Sequence, residues 1–395
     1  MKQLTGDEIN RYACVQVILL FTSALLVLGC TSRTNTDGKM AENSFTILGG
    51  SYSGDKGNDI HILELDAVNG ELKLAGGTRV GDNPSFIALS PDGSRLYAVN
   101  ETDNFAGTVS GGITTLAFNR ENSEFDLLGK FNISGKGPCH LSVTEDGDFL
   151  YSSNYGDGSF SVVVNNGRGI PELETIFLKY GSSDSTDSHT HMSFQQQGTN
   201  LLYVSDLGLD RLMIYHTIRS GENIILREDH PINMPPGSGP RHFIIDTTGT
   251  VIYILNELSS DISVVKRYVT GEYREMQRVS TLPEGFEGEN YPADIHWSPD
   301  GKFVYTTNRG HNSIALFEAG DDDRLEFRGT VPCGGDWPRN FAISPDGRYL
   351  VVANQRSGSL DLFTIDRETF MPVYSGNSVM VNSPSCVIFA PVELN

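Results

Sequence analysis

One strand–turn–strand segment recurs along this chain and constrains its fold more than any other feature. In its clearest copy, an apolar run over residues 86–90 leads into Pro91-Asp92-Gly93, and a second apolar run follows over residues 96–99. Proline presets φ, aspartate bonds nearby backbone and glycine accepts positive φ, so the sequence predicts a tight turn between two short strands. The position that begins the turn recurs every 46 to 54 residues, at Ser90, Thr144, Gln195, Asp246, Ser298, Ser344 and Ala390.

Seven copies at this period predict an all-β fold, a seven-bladed β-propeller with four antiparallel strands in each blade. The seventh copy stops after its first strand, within residues 384–391. Three strand-like runs near the other end, residues 45–49, 60–65 and 72–74, supply the missing strands. The termini are therefore expected to form one composite blade that closes the ring without a long exposed sheet edge. An open sheet or a sandwich is the alternative.

The first 30 residues differ from the rest and are interpreted as a signal peptide with a lipobox-like end at Cys30. Residues 13–28 are almost continuously apolar after Lys2 and Arg11, and this run is short for a membrane span. Residues 31–44 are polar and predicted to be a flexible tether, and residues 45–395 form the propeller domain. We expect export to the bacterial cell envelope, with Cys30 lipidated and membrane contact only through that anchor. An ordinary signal peptide, an uncleaved anchor or, if the leader is misread, a cytoplasmic protein are the alternatives.

Charge and cysteine content exclude several classes of function. The chain carries 50 acidic and 29 basic residues, a net charge of −21, which repels nucleic acid and anionic membranes. Its propeller cysteines, Cys139, Cys333 and Cys386, are too scattered for a metal site or a disulfide framework. We expect Cys139 and Cys386 to be small buried residues, in a monomer without metal or cofactor.

In a propeller, the first strand of each blade lines the central channel, and the second runs antiparallel beside it. The start of one and the end of the other therefore meet at one rim, which was expected to be solvated. The Asn that ends the second strand in five blades is interpreted as a structural hydrogen bonder, because a single site needs each role once. Residues that differ between blades are better candidates for a site, and those singled out are His191, Arg241, Glu257 and Arg309.

Several further candidates fall at the same rim. One position, four residues before the turn, carries His140, His191, His242, Asp294 and Asn340 in successive blades. Histidine beside a carboxylate suits general acid–base catalysis, and arginines suit an anionic substrate or an oxyanion. His189-Thr-His191 does not lie on an element that aims two ligands at one metal, and no nucleophilic-serine, P-loop or dinucleotide motif is present.

Several rim motifs together resemble the seven-bladed lactonase family, which contains propeller-type 6-phosphogluconolactonases and fungal carboxy-muconate cycloisomerases. The resemblance extends from about residue 45 to the C-terminus, and its motifs are Gly137-Pro-Cys-His140, Asn154-Tyr-Gly156, Asp206-Leu-Gly208, Gly239-Pro-Arg-His242, Asn256-Glu257, Asn308-Arg-Gly310 and Pro338-Arg-Asn-Phe341. It implies metal-independent lactone hydrolysis or the related cycloisomerisation. It also implies a site of one His, one Glu and two Arg, which correspond to the four singled-out residues.

The expected activity is therefore hydrolysis of a small-molecule lactone, with His191 or Glu257 as general base and Arg241 and Arg309 stabilising the oxyanion. Other rim residues are expected to contact the substrate: His140, His189, His242, Arg339 and Asp206. Export makes a phosphorylated sugar lactone a less suitable substrate than an unphosphorylated aldonolactone. The alternatives are a muconate-type lactonising cycloisomerase and a non-catalytic envelope propeller that binds a ligand or protein partner.

Overall fold

The computed structural model describes residues 44–55, 57–181, 187–221 and 223–391, and within them it contains strands and no helix. In chain order the strands are β1 (Ser44–Ser51), β2 (Ile60–Asp66), β3 (Glu71–Thr78), β4 (Ile87–Leu89), β5 (Arg95–Asn100), β6 (Gly112–Asn119), β7 (Glu124–Asn132), β8 (Pro138–Val143), β9 (Phe149–Asn154), β10 (Ser159–Asn165), β11 (Pro171–Lys179), β12 (Thr190–Gln195), β13 (Leu201–Asp206), β14 (Arg211–Ser220), β15 (Asn223–Glu228), β16 (Ile232–Asn233), β17 (Pro240–Ile245), β18 (Val251–Asn256), β19 (Asp261–Arg267), β20 (Tyr273–Ser280), β21 (Tyr291–Trp297), β22 (Phe303–Arg309), β23 (Ser313–Ala319), β24 (Leu325–Pro332), β25 (Pro338–Ile343), β26 (Tyr349–Asn354), β27 (Ser359–Ile365), β28 (Pro372–Met380) and β29 (Pro384–Phe389).

The strands form seven antiparallel blades, and the predicted composite blade is confirmed. Its strand order is β29-β1-β2-β3, so the last strand of the chain is innermost and the first strand is second. Ile47 pairs with Phe389 and Gly49 with Val387 along this closure. The other blades follow chain order, and β16 adds a short fifth strand beside β14 in one of them. Closure pairs the edge that an open ring would leave exposed.

A buried tyrosine in the second strand of six blades ties each blade to the next. Tyr97 donates its hydroxyl hydrogen bond to the carbonyl of Gly169 at 2.7 Å, and Tyr305 donates to Phe370 at 2.8 Å. The corresponding tyrosines are Tyr151, Tyr203, Tyr253 and Tyr349, and each hydroxyl bonds to a residue of the following blade. The rings fill the apolar layers between blades, and each buried hydroxyl is satisfied there.

The interpretation of the repeated Asn as a structural hydrogen bonder is confirmed. Within its own blade, Asn154 donates to Ser159 and Ser161, both at 3.0 Å. Asn308 donates both to Ser313 of its own blade at 3.2 Å and to the carbonyl of Thr281 in the preceding blade at 2.9 Å. All five asparagines are fully buried, so their amides hold the strand ends together below the rim.

All three propeller cysteines are free and buried. Burial confirms the prediction for Cys139 and Cys386, extends to Cys333, and raises the pKa of each thiol. Among the described residues, no three His, Cys, Asp or Glu side chains are grouped to hold a metal ion. None of the described segments is a helix suited to crossing a membrane. The predicted leader, and the tether up to residue 43, lie outside the described residues.

Candidate functional site

The central element of the rim is a carboxylate shared by two arginines. Glu257 follows the end of β18, Arg241 lies in β17 beside it, and Arg309 ends β22 in the next blade. Glu257 Oε2 is 2.9 Å from Arg241 Nε and 2.8 Å from Arg309 Nη2. The structure therefore brings together three of the four residues singled out from the sequence, although they come from two blades.

These charges are more deeply buried than the sequence suggested. The side chains of Arg241 and Arg309 are 3% and 6% exposed, and that of Glu257 is 16% exposed. The expectation of a solvated rim was therefore wrong at this site, because neighbouring blades cover the strand ends. Low local polarity strengthens each ion pair and makes each unpaired charge costly.

The pKa values reflect this burial. Burial raises the pKa of Glu257, but Arg309 and Arg241 lower it more, so its pKa stays below the usual value and the carboxylate is ionised at neutral pH. Burial lowers the pKa of Arg309 to about 9, and like charge from Arg241 opposes the favourable effect of Glu257. At neutral pH the cluster thus consists of the ionised Glu257 carboxylate between the guanidinium ions of Arg241 and Arg309.

Backbone carbonyls fix the orientation of both guanidinium groups. Arg241 Nη1 donates to the carbonyl of Ala293, and Arg309 Nε donates to that of Tyr291 at 2.9 Å. The Arg309 guanidinium also lies 5.4 Å from the ring centre of Trp337, whose backbone has φ 68°. A planar guanidinium group held in this way is suited to donating hydrogen bonds to a carbonyl or carboxylate oxygen at a defined position.

A second charged cluster lies at the rim, and its central residue was missed. Arg339 Nη2 donates to Tyr52 Oη at 2.9 Å, and Tyr52 donates to Glu101 at 2.7 Å. Ser85 also donates to Glu101. Tyr52 follows β1, the second strand of the composite blade, so it occupies the position that Glu101 and Glu257 hold in theirs. Extending the repeat to the composite blade would have identified it from the sequence.

Below the arginines, the predicted ring of residues lines the channel. The ring centres of His140 and His191 lie 5.7 and 5.2 Å from that of His242, and the Phe86 ring centre lies 4.4 Å from that of His140, with the two planes tilted by 37°. Burial lowers the pKa of each of these histidines, so all three are neutral at physiological pH. Among the described residues, His191 Nδ1 has no hydrogen-bond partner.

Asp294 bonds to both of its neighbours in this ring, His242 and Asn340. Its Oδ1 accepts from His242 Nδ1 at 2.7 Å, and its Oδ2 accepts from His296 Nε2 at 2.8 Å and from Asn340 Nδ2 at 2.5 Å. Burial raises the pKa of Asp294, but His296 and His242 lower it more, so the carboxylate is ionised. Both His242 and His296 therefore present a protonated nitrogen to Asp294.

Two predicted substrate contacts have other partners. His189 stacks on Tyr155 with ring centres 4.5 Å apart, and its Nδ1 lies 2.9 Å from the Tyr155 carbonyl. The carboxylate of Asp206 accepts from Ser188 Oγ and from the backbone N–H of His189, at 2.8 and 3.0 Å. The structure shows no direct contact of Asp206 with the arginine clusters, and its hydrogen bonds hold the start of β12.

A small polar cavity is lined by residues of both arginine clusters and of the ring. Its volume is about 10 Å³. It is lined by Ser85, Phe86, Glu101, Cys139, Arg241, His242, Arg339, Asn340 and Ser385. A cavity of this size is enough for about one water molecule.

Comparison with known proteins agrees with the geometry. The family described as "Lactonase, 7-bladed beta-propeller" matches residues 46–389. A Bacillus subtilis protein named 6-phosphogluconolactonase is 32% identical over 349 residues, covering 86% of this chain and 97% of the relative. A Formosa agariphila protein of the same name is 33% identical over 302 residues, covering 74% and 84%.

A solved structure, the periplasmic gluconolactonase of Pseudomonas aeruginosa, superimposes with a TM-score of 0.82 at 28% identity. The match covers 89% of this chain and 100% of that one. The family match over residues 46–389 includes strands of all seven blades and the rim that holds the charged clusters. The chain therefore belongs to the seven-bladed β-propeller lactonase family.

Proposed function

We propose that this protein is a lactonase that hydrolyses a sugar lactone at the rim of its central channel. The observation that carries the proposal is the buried, ionised Glu257 between Arg241 and Arg309. Two guanidinium groups held by a carboxylate and by backbone carbonyls form a rigid electropositive site. Such a site stabilises the oxyanion that develops when water attacks an ester carbonyl.

Glu257 acts in this scheme as the residue that positions the arginines. Its Oε2 is held by both guanidinium groups, so that oxygen is not free to take a proton from water. The histidines of the ring are neutral, and among the described residues His191 Nδ1 and His242 Nε2 have no hydrogen-bond partner. Of the two bases expected from the sequence, these observations support histidine rather than glutamate.

The substrate we propose is an unphosphorylated aldonolactone, with 6-phosphogluconolactone as the competing possibility. The support is the export expected from residues 1–30 and the likeness to a protein described as a periplasmic gluconolactonase. The charged groups at the rim also offset one another. Arg241 and Arg309 share Glu257, and Arg339 is linked through Tyr52 to Glu101.

The test is ring opening of a panel of sugar lactones, followed by proton release above the rate without protein. The panel includes glucono-δ-lactone and its 6-phosphate. We expect Arg241→Ala to lower kcat by about 10²-fold or more, the scale for losing an oxyanion donor. Arg241→Lys does not restore full activity, because a point charge replaces a planar fork.

Arg339→Ala is the matched control for this test. Arg339 begins the equivalent strand two blades later, but its blade ends in Gln355 instead of glutamate, and its partner is the Tyr52 hydroxyl. We expect a milder effect on kcat. Equal lactone hydrolysis by wild type and a folded Arg241→Ala variant, or none by either, would contradict the proposal and favour a ligand-binding propeller.

We also propose that the protein is exported and anchored through a lipid on Cys30. The lipobox-like run that ends at Cys30 supports this proposal. We expect Cys30→Ser to move the protein from the membrane fraction to the soluble fraction, measured by fractionation and immunoblotting. Wild-type protein found in the cytoplasm with its leader intact would refute export and make the phosphorylated lactone the better substrate.

A further inference from the structure

His242 is distinguished from His140 and His191 by a hydrogen bond to a carboxylate. Its Nδ1 lies 2.7 Å from Asp294 Oδ1, and both side chains are almost completely buried. Because Asp294 is ionised, it holds the proton on Nδ1. The other nitrogen, Nε2, is then an acceptor, and it has no hydrogen-bond partner among the described residues.

The surroundings of Asp294 make this arrangement rigid. The second oxygen of the carboxylate accepts from His296, from Asn340 and from the backbone N–H of Phe341, at 2.8, 2.5 and 3.3 Å. These bonds hold the carboxylate in one orientation. The carboxylate in turn holds the His242 ring in the tautomer that carries its proton on Nδ1. A neutral histidine oriented by a buried carboxylate is the arrangement that general-base catalysis requires.

His242 also lines the small cavity between the arginine clusters, together with Arg241, Arg339 and Glu101. The cavity is polar and has room for about one water molecule. A water-sized space thus lies against His242, whose Nε2 is unpartnered, and against Arg241, the proposed oxyanion donor.

We propose that His242 is the general base of the lactonase reaction, that the cavity holds the attacking water, and that Asp294 is the positioning residue. This proposal rests on the proposed lactonase function and names the base that the function requires. It replaces His191, whose Nδ1 is buried without a partner and which has no carboxylate bonded to it among the described contacts.

In the proposed step, a water proton moves to His242 Nε2 as the water oxygen bonds to the lactone carbonyl carbon. The resulting oxyanion faces the guanidinium groups. The intermediate collapses by breaking the bond between that carbon and the ring oxygen. His242 then returns the proton to the ring oxygen, which becomes a hydroxyl, and the new carboxylic acid ionises to release one proton to solvent.

The pH dependence follows from the groups that face His242. Burial, the charge of Arg241 and that of His296 lower the pKa of His242, Asp294 raises it, and together they bring it to about 4. His140 and His191 face the ring from neighbouring blades and are neutral. The base is therefore unprotonated at neutral pH, and kcat/KM should fall only as the pH approaches about 4.

His242→Asn is the decisive variant, because asparagine retains a donor near Nδ1 for Asp294 and removes Nε2. We expect kcat to fall by about 10²-fold or more, with KM little changed, and the acid limb of the pH profile to disappear from the residual activity. His216→Gln is the matched control. His216 also bonds to a carboxylate, Asp229 at 3.2 Å, but it lies in the third strand of its blade and contacts neither Asp294 nor His242 in the described part of the chain, so we expect kcat equal to that of wild type.

Asp294→Asn tests the positioning role through a readout that a purely structural role would not change. Losing the carboxylate lowers the pKa of His242, so the acid limb moves to lower pH while kcat falls. If His242→Asn folds and retains wild-type kcat and the acid limb, the base is elsewhere and the inference is wrong. A wild-type protein without lactonase activity would instead overturn the proposed function itself.

Discussion

The turn end and the rim end of the blades differ in how closely their residues and hydrogen bonds repeat from blade to blade. At the turn end, Ser298 Oγ donates to Asp300 at 2.6 Å and accepts from the Phe303 N–H at 3.0 Å. The same pair of bonds recurs at the turns that begin with Ser90, Thr144 and Ser344. At the rim, the residue after the second strand differs in most blades. Repetition therefore marks what every blade needs to fold, and variation marks the site.

The comparison has one instructive exception. Five repeated asparagines lie at the rim end, one residue before the variable positions, and they are buried structural groups. The Asn256-Glu257 pair shows the boundary: Asn256 bonds to Asp261 and Ser263 of its own blade, whereas Glu257 reaches an arginine of the next. Blade structure and site chemistry are separated by one residue of the chain.

Removing residues 384–395 should have the largest effect, because it deletes β29 and affects both ends of the molecule. Without β29, β1 loses its inner partner and the closed ring becomes an open sheet. We expect loss of cooperative unfolding, measured by thermal melting. Removing only residues 392–395, which leaves β29 complete, is the control. An unchanged melting temperature in the longer deletion would contradict ring closure by the composite blade.

At the rim, Glu257→Gln tests how much the charge of Glu257 contributes to stability, because it removes the charge and changes little else in the blade. The change leaves two buried guanidinium groups without their carboxylate, and we expect a loss of about 3–5 kcal/mol in the free energy of unfolding at neutral pH. The folded-state pKa of Glu257 lies below its unfolded value of 4.5. The stabilisation is therefore present above pH 4.5 and is lost as pH falls towards the folded pKa.

Denaturant unfolding at several pH values measures this effect. The difference between wild type and Glu257→Gln should shrink below pH 4.5. Glu326→Gln removes an exposed ion pair with Arg328 and should change stability by less than about 1 kcal/mol at every pH. If the difference in the free energy of unfolding between wild type and Glu257→Gln did not depend on pH, the ionised carboxylate of Glu257 would not be the source of the stabilisation.

At the turn end, Ser298→Ala should have the smallest effect and none on activity. The change removes a hydrogen-bond acceptor from the Phe303 N–H and costs about 1 kcal/mol, measured by urea unfolding. Catalytic constants should equal those of wild type, because the turn lies at the opposite end of the strands from the rim. Reduced lactone hydrolysis in a folded variant would show that the two ends are coupled.

Much of this architecture is readable from the chain, because a propeller blade is a local unit. The turn motif, the blade count, the composite closure and the pairing of Arg241 with Glu257 all follow from positions within one repeat. Contacts between blades are harder to predict from the sequence. The tyrosine hydroxyl bonds, such as Tyr97 to Gly169, connect residues that no repeat position relates directly.

The sequence by itself determined the fold, the family resemblance and the ring of His140, His191, His242, Asp294 and Asn340. Only the tertiary structure decided which of these residues pair. Asp294 could have faced either neighbour, and its hydrogen bond to His242 depends on side-chain directions across two blades. It also decided that the arginines are buried, because burial depends on how neighbouring blades pack around each strand end. Periodicity determines position, whereas packing between repeats determines partners, exposure and pKa.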